Sequence, residues 1–229
     1  MTFTGFGGKA LPFLKALDFH QNREWFNENR ALYESELQSP LGDLVEELTV
    51  RFAGTGLDLK GDRKASLFRI NRDVRFSKDK RPYKLHVSAV LSRDATKRST
   101  NGMLYIHIGL ESCFTAVAWW QPDRGLLERM RRAIVERPAE FRRMVEALDR
   151  GGLALSQEDR LQRAPRGFEA VNEADLAGAV RNRHFIVRHP LTPEMISSHL
   201  LADELTAFAV AAKPLLDWGR AIDSGISGG

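Results

Sequence analysis

Residues 85–120 read LHVSAVLSRDATKRSTNGMLYIHIGLESCFTAVAWW, and this stretch decides the fold. Apolar and other side chains alternate over residues 85–92, 103–110 and 113–120, with the period of two that is typical of β-strands. Two residues separate the last two segments, which is enough for a tight hairpin. Strands with short links pair antiparallel, because parallel pairing needs a long crossover. The stretch therefore predicts an antiparallel meander.

Residues 66–76 alternate in the same way and predict one more strand before the meander. Its apolar side carries Phe68, Ile70, Val74 and Phe76. Arg72 falls among these apolar positions, and an unpaired buried guanidinium would cost several kcal/mol. We therefore expect either a carboxylate partner for Arg72 or a bulge in this strand. His184–Val187 is a candidate for a further strand.

Helical spacing appears on both sides of the predicted sheet. Before it, residues 12–17 predict a short helix, and Asn22 is placed to cap the next helix. A third helix is predicted to start at Ser39 and Pro40 and to end at Gly54 and Gly56. The fold class that we predict is α+β, with a central antiparallel sheet of about four or more strands between N-terminal and C-terminal helices.

After the sheet, the spacing of about 3.6 residues returns from Asp123. Pro138 opens the next helix, Thr192 begins a helical C-terminal region, and Pro214 divides that region because proline interrupts a helix. The sequence pattern of residues 157–180 is ambiguous and predicts no particular structure.

Composition and length limit the class of protein. The 229 residues carry a net charge of +4, and no apolar run approaches the 18 residues of a membrane span, so we expect no membrane partner. Cys113 is the single cysteine and favours a reducing compartment, so the cytoplasm is the expected location. We predict one domain over residues 1–229, with frayed termini at residues 1–8 and 224–229. The oligomeric state stays open.

Positive charge is concentrated in residues 60–84, which hold ten basic and three acidic side chains and so carry +7. Such an excess attracts anions such as phosphate, carboxylate or a nucleic-acid backbone. It is also compatible with a solvated surface.

Several short sequence motifs are matched, but the flanking strands or helices that these motifs require are missing. The glycines at residues 5–8 resemble a dinucleotide-binding fingerprint, but too few residues precede them to form the required strand. Residues 225–229 resemble a nucleophile elbow without a following helix. The six histidines lack metalloprotease spacing and there is no second cysteine. We therefore expect neither a metal nor another cofactor.

The candidate site is the polar side of the predicted sheet together with the loop 77–84. If the strands pair in order, Asp73, His86, Ser88 and His107 share one face with several arginines. Guanidinium groups bind anions, and histidine exchanges protons near neutral pH. An ordinary solvated face explains the pattern equally well. The candidate ligand-binding residues are Arg69, Arg72, Asp73, Arg75, Lys78, Lys80, Arg81, Tyr83, Lys84, Tyr105 and His107.

Three segments resemble a widespread microbial family of conserved uncharacterised proteins, a domain of unknown function. They are NREWF at 22–26, LFRINRDVRFSKDKRPYK at 67–84 and PRGF at 165–168. Ala164 stands where the family usually has leucine. The resemblance implies a shared fold and brings no established activity or catalytic residue.

Three functions agree with these patterns. The first is a binding module for an anionic ligand, either a phosphate-bearing small molecule or nucleic acid. The second is an enzyme for a small phosphorylated or carboxylated substrate, with Asp73 and His107 as the acid–base candidates. The third is a protein-interaction scaffold with an exposed apolar patch.

Overall fold

The computed structural model describes residues 2–225 and has the predicted α+β architecture. Its sheet has four antiparallel strands in the order β1-β2-β3-β4, so the predicted meander is confirmed. The strands are β1 His86–Leu91, β2 Asn101–Gly109, β3 Cys113–Trp119 and β4 Phe185–Pro190. The candidate strand at His184–Val187 thus corresponds to the start of β4.

The predicted strand over residues 66–76 is wrong. Only isolated bridges form there, from Leu67 to Ala89 on β1 and from Asn71 to Tyr83. The chain pairs with the edge of β1 as far as the amide of Phe68 and then turns into a loop that folds back on residues 82–84. Proline at position 82 has no amide hydrogen to donate, so a regular ladder cannot form along this loop.

In the described part of the chain, four α-helices precede the sheet: α1 Ala10–Phe19, α2 Arg23–Glu28, α3 Arg30–Tyr33 and α4 Ser39–Phe52. The side chain of Asn22 accepts a hydrogen bond from the Trp25 amide, as expected of the cap of α2. Helix α4 ends before Gly54 and Gly56, which both adopt positive φ angles.

Helix α4 begins at Ser39, as predicted, but no loop separates it from the helical residues before it. The backbone is helical from Arg30 onward, and the π-helical turn Glu34–Gln38 joins α3 to α4. Ser39 itself has helical backbone angles and makes no side-chain cap. Pro40 removes one backbone donor, and the wider π-turn just before it changes the hydrogen-bond register at that point.

Up to residue 225, six helices follow β3: α5 Arg124–Glu136, α6 Pro138–Arg150, α7 Ala174–Ala179, α8 Pro193–Ser197, α9 Leu201–Ala211 and α10 Lys213–Asp223. Asp123 caps α5 and Thr192 caps α8 through their side chains. The predicted break at Pro214 is confirmed, because α10 begins with Lys213 and Pro214 after α9 has ended.

All the helices contribute buried side chains to one apolar core on the inner face of the sheet. Trp119 at the end of β3 is 1% exposed, and its indole N–H donates to the carbonyl of Leu215 on α10. Its ring lies so close to α10 that a Cβ atom at Gly219 would be 2.1 Å from the ring. The absence of a side chain at Gly219 therefore sets how closely α10 approaches the sheet.

The predicted fraying of residues 1–8 is wrong for the described residues 2–8. Phe3 and Phe6 are buried in the core, and their amides donate to Glu47 and to the carbonyl of Ile196. Two aromatic side chains gain enough from burial to fix this segment. At the other end, the Ser224 hydroxyl bonds back to α10. Residues 226–229, with most of the elbow-like motif, lie outside the described residues.

No helix within residues 2–225 has both the length and the apolar composition that crossing a membrane requires.

We predict that Gly219→Ala destabilises the protein by about 2 kcal/mol. Alanine favours a helix by about 1 kcal/mol, but the methyl group must displace the buried Trp119 ring, and overpacking of this kind costs about 1–3 kcal/mol or more. Urea unfolding measures the change. The control is Gly8→Ala, where a Cβ meets no atom within 4 Å. Wild-type stability for Gly219→Ala would contradict this packing.

Candidate ligand site on the outer face of the sheet

The sheet has a second face, the outer face, on which no helix packs among the described residues. The pairing register places side chains there in rows across the strands: Ser88, His107 and Phe114 in one row, Val90, Tyr105, Ala116 and Arg188 in the next, and Met103, Ala118 and Ile186 in a third. A small apolar cluster on this face is separate from the main core. It consists of Val90, Met103, Ala116, Ala118 and Ile186, with Phe68, Tyr105, Phe114 and Trp120 at its margin.

A cavity of about 430 Å³ lies on this outer face, and we call it the central cavity. Its walls combine aromatic rings with small aliphatic side chains, and none of the described residues that line it is acidic. The lining residues are Phe68, Val90, Lys97, Ser99, Thr100, Met103, Tyr105, Phe114, Ala116, Ala118, Trp120, Ile186 and Arg188.

Aromatic rings form a row along this face. The ring centroids of Phe68 and Tyr105 are 6.4 Å apart, and those of Tyr105 and Phe114 are 5.8 Å apart. The row continues from Phe114 to His107 at 4.8 Å and from His107 to His86 at 4.2 Å. The face therefore presents five neighbouring rings, none of them fully buried.

Cations border this aromatic row. The Lys84 ammonium lies 5.5 Å from the Phe68 ring centroid, and the Arg188 guanidinium lies 5.1 Å from that of Phe114. Lys97 donates to the carbonyl of Leu67. Burial lowers the pKa of Lys84, and the nearby charges of Arg69 and Lys97 lower it further. Positive charge is therefore incompletely compensated here, although Glu158 pairs with Arg188.

A second cavity, of about 470 Å³, adjoins the first and shares Phe114 with it. We call it the histidine cavity because His86 and His107 line it, with Lys84 beside them. Nδ1 of His107 is 3.1 Å from the Tyr105 hydroxyl. Burial lowers the pKa of His107 to about 4, with smaller contributions from His86 and Arg188, and burial also lowers the pKa of His86. Both imidazoles are therefore neutral at pH 7.

The structure brings some of the predicted site residues together at the two cavities and leaves others in ion pairs on the loop. Tyr105 lines the central cavity, and the histidine cavity is lined by Arg72, Arg81, Tyr83, Lys84 and His107, with Arg69 near Lys84. The loop residues are largely neutralised by local carboxylates. Arg75 pairs with Asp73, Arg72 and Arg81 pair with Asp79, Arg81 also pairs with Asp18, and Lys80 donates to the carbonyl of Val74. Lys78 lies exposed on the same loop. The carboxylate partner expected for Arg72 is thus Asp79.

Tyr83 does not offer a free ring for stacking. It is 4% exposed and stacks on Phe26 at 4.4 Å between centroids. Its backbone amide donates to the side chain of Gln21. This long-range anchor to the N-terminal helices directs the Tyr83 side chain into the core.

The acid–base pair of the enzyme hypothesis is not assembled. The Asp73 carboxylate accepts two hydrogen bonds from the Arg75 guanidinium in an exposed loop. Asp73 does not line the histidine cavity, whereas His107 does. Asp73 and His107 do not share one sheet face as predicted, because residues 66–76 are not a strand.

The site also contains residues that the sequence interpretation missed: Phe68, Lys97, Phe114, Trp120 and Arg188. A signal for two of them, Phe114 and Trp120, was present. Residues 114–120 are apolar on both sides of the strand, apart from Thr115, which indicates that both sheet faces bury apolar groups. Lys97 and Arg188 depend on a loop and on a distant strand, which local periodicity does not reveal.

The model of the conserved hypothetical protein family DUF2461 matches residues 9–218. The chain belongs to this family. Neither the comparison with curated proteins nor that with solved structures gave a match. The segment that corresponds to DUF2461 contains the entire sheet and every residue of both cavities.

We predict that wild-type stability falls as the pH decreases from about 6.5 towards 4, partly because of His107. The unfolded chain takes up the proton near the ordinary pKa of 6.5, whereas the folded protein resists it until about 4. His107→Gln removes this contribution, so its urea-unfolding curves should depend less on pH in that interval. An NMR titration of the wild-type imidazole should have its midpoint near pH 4. A midpoint near 6.5 would contradict the burial of His107.

Proposed function

We propose that this DUF2461 protein is a binding module for a ligand that joins a flat ring to a phosphate group, of which a nucleotide is the simplest example. The observation that carries the proposal is the aromatic row of the outer face, together with Lys97 and Arg188 in a central cavity whose described lining residues include no acid. Each half of the ligand has a matching feature in this site.

The flat ring of the ligand would stack on the aromatic row. Stacking between a base and an aromatic side chain contributes about 1–3 kcal/mol per base and tolerates any base. Tyr105 and Phe114 are half-buried, so each is fixed by its neighbours while keeping part of its ring accessible. A fixed ring loses little conformational entropy when the ligand binds.

The phosphate would lie near Lys84 and Lys97. Lys97 lines the central cavity, and Lys84 lines the histidine cavity with its ammonium 5.5 Å from the centroid of the Phe68 ring. The nearby charge of Arg69 raises the local potential for an anion. Lys84 is partly desolvated, which strengthens its interaction with a bound anion. A volume of about 430 Å³ also lies in the range of small-molecule sites.

The loop 72–82 supports this site less than its charge suggests. Its arginines are engaged with Asp73 and Asp79, so they add little net attraction. The cations that remain available lie at the edge of β1 rather than along the whole basic segment. Predicted binding therefore depends on Lys84 and Lys97 more than on Arg75 or Arg81.

The cytoplasm stays our predicted location, because the single cysteine favours a reducing compartment.

We predict that AMP binds more tightly than either adenosine or ribose 5-phosphate, since only AMP has both the ring and the phosphate. Calorimetry with the three compounds measures this. Phe114→Leu keeps an apolar side chain but removes the stacking surface, and should weaken AMP binding about tenfold. Lys84→Gln should weaken it less, and most clearly at low salt.

The matched control for Lys84→Gln is Lys15→Gln, which changes an exposed lysine on α1. It should leave AMP affinity unchanged. The proposal fails if AMP does not bind, if it binds no better than ribose 5-phosphate, or if Phe114→Leu retains full affinity while remaining folded.

A further inference from the structure

A third cavity extends the site beyond the edge of the sheet. It has a volume of about 460 Å³ and shares Phe68 and Lys97 with the central cavity. We call it the edge cavity because it lies where residues 64–69 run along β1. The central cavity thus has a neighbour on each side, the histidine cavity through Phe114 and the edge cavity through Phe68.

The edge cavity is strongly basic. Arg63, Lys64, Arg69 and Lys97 line it, and none of its described lining residues is acidic. Arg63 is engaged by Asp43 and Glu46. Within residues 2–225, Lys64 and Arg69 have no carboxylate oxygen within 4 Å of their charged nitrogens, so these two charges remain available.

The three cavities follow one another through shared lining residues, and we call them together the groove. The acidic residues among its described lining, Asp79 and Glu111, both lie in the histidine cavity. Aromatic rings line each of them, and the row from Phe68 to His86 passes from the edge cavity through the central one to the histidine cavity. A single nucleotide would occupy one of the three and leave the remaining rings and cations unused. A ligand with several rings and a regularly charged backbone matches the whole groove.

We infer that the ligand of this groove is a single-stranded nucleic acid, with bases on the aromatic row and phosphates near Lys64, Arg69, Lys84 and Lys97. This inference rests on the proposed function and specifies its ligand. Paired bases in a duplex expose only their edges, so they cannot stack on this row. An acidic peptide would satisfy the cations without using the rings.

The test uses thymidine oligonucleotides of two, four and eight residues on the full chain, measured by fluorescence anisotropy. The affinity should rise more than tenfold from the dinucleotide to the octanucleotide and exceed that for a duplex of the same length. The logarithm of the binding constant should fall with the logarithm of salt concentration, with a slope near −2 to −3 for about four phosphate contacts.

Arg69→Gln separates this inference from the proposed function. It should weaken octanucleotide binding about three- to tenfold and reduce the salt slope, while AMP affinity stays within twofold of wild type. Lys64→Gln should behave in the same way. The exposed Lys15→Gln variant should change neither affinity.

Several results would overturn the inference. They are equal affinity for the dinucleotide and the octanucleotide, wild-type octanucleotide binding by Arg69→Gln, and equally tight binding of a ten-residue glutamate peptide. If AMP still binds in these cases, the proposed function stands and only the extended ligand is wrong. If AMP binding is also absent, the proposed function is wrong as well.

Discussion

Apolar side chains on both faces of β3 are the feature on which the rest of this structure depends. Val117 and Trp119 face the helices, while Phe114, Ala116 and Ala118 face the other way. The helices of the described chain bury their apolar sides in the inner core. The outer apolar cluster therefore has no helix above it. The five residues of this cluster are only 2–7% exposed, so the accessible part of the outer face is its margin of Phe68, Tyr105, Phe114 and Trp120.

Pairing of charges within the basic segment determines where that surface attracts anions. The net charge of +7 in residues 60–84 suggests one continuous positive region. In the folded protein, Asp79 accepts from two arginines and Asp73 from one, and acids of α4 engage Arg63. What remains is a smaller set of cations near the edge of β1. These lie beside aromatic rings, so charge and stacking surface occur at the same place.

Local patterns predicted much of the fold because they report local physics. Period-two alternation identified three strands, and Asn22 was correctly predicted as a cap because its side chain bonds an amide three residues away. Residues 66–76 also alternate, yet a strand needs a partner along its whole length. That partner is missing beyond Phe68, where the chain turns away from β1. The periodicity of a segment does not show whether a pairing partner is present along its whole length.

Prediction of the site was weaker, since the site depends on contacts between distant segments. Tyr105 and His107 were correctly placed on one face because they are two residues apart on a strand. Tyr83 was misplaced because its position is set by Gln21 and Phe26, about sixty residues earlier in the chain. Arg188 comes from β4, which follows β3 only after the three helices α5, α6 and α7 and a long connection.

The most direct test of the account is to map where a thymidine octanucleotide touches the protein, using methyl NMR spectra of the labelled full chain. Val90 and Ile186 point to the outer face, whereas Val117 and Leu104 point to the inner core. We expect the methyl signals of the first pair to shift on binding and those of the second pair to stay in place. Shifts confined to residues outside the outer face, or no shifts at millimolar ligand, would contradict it.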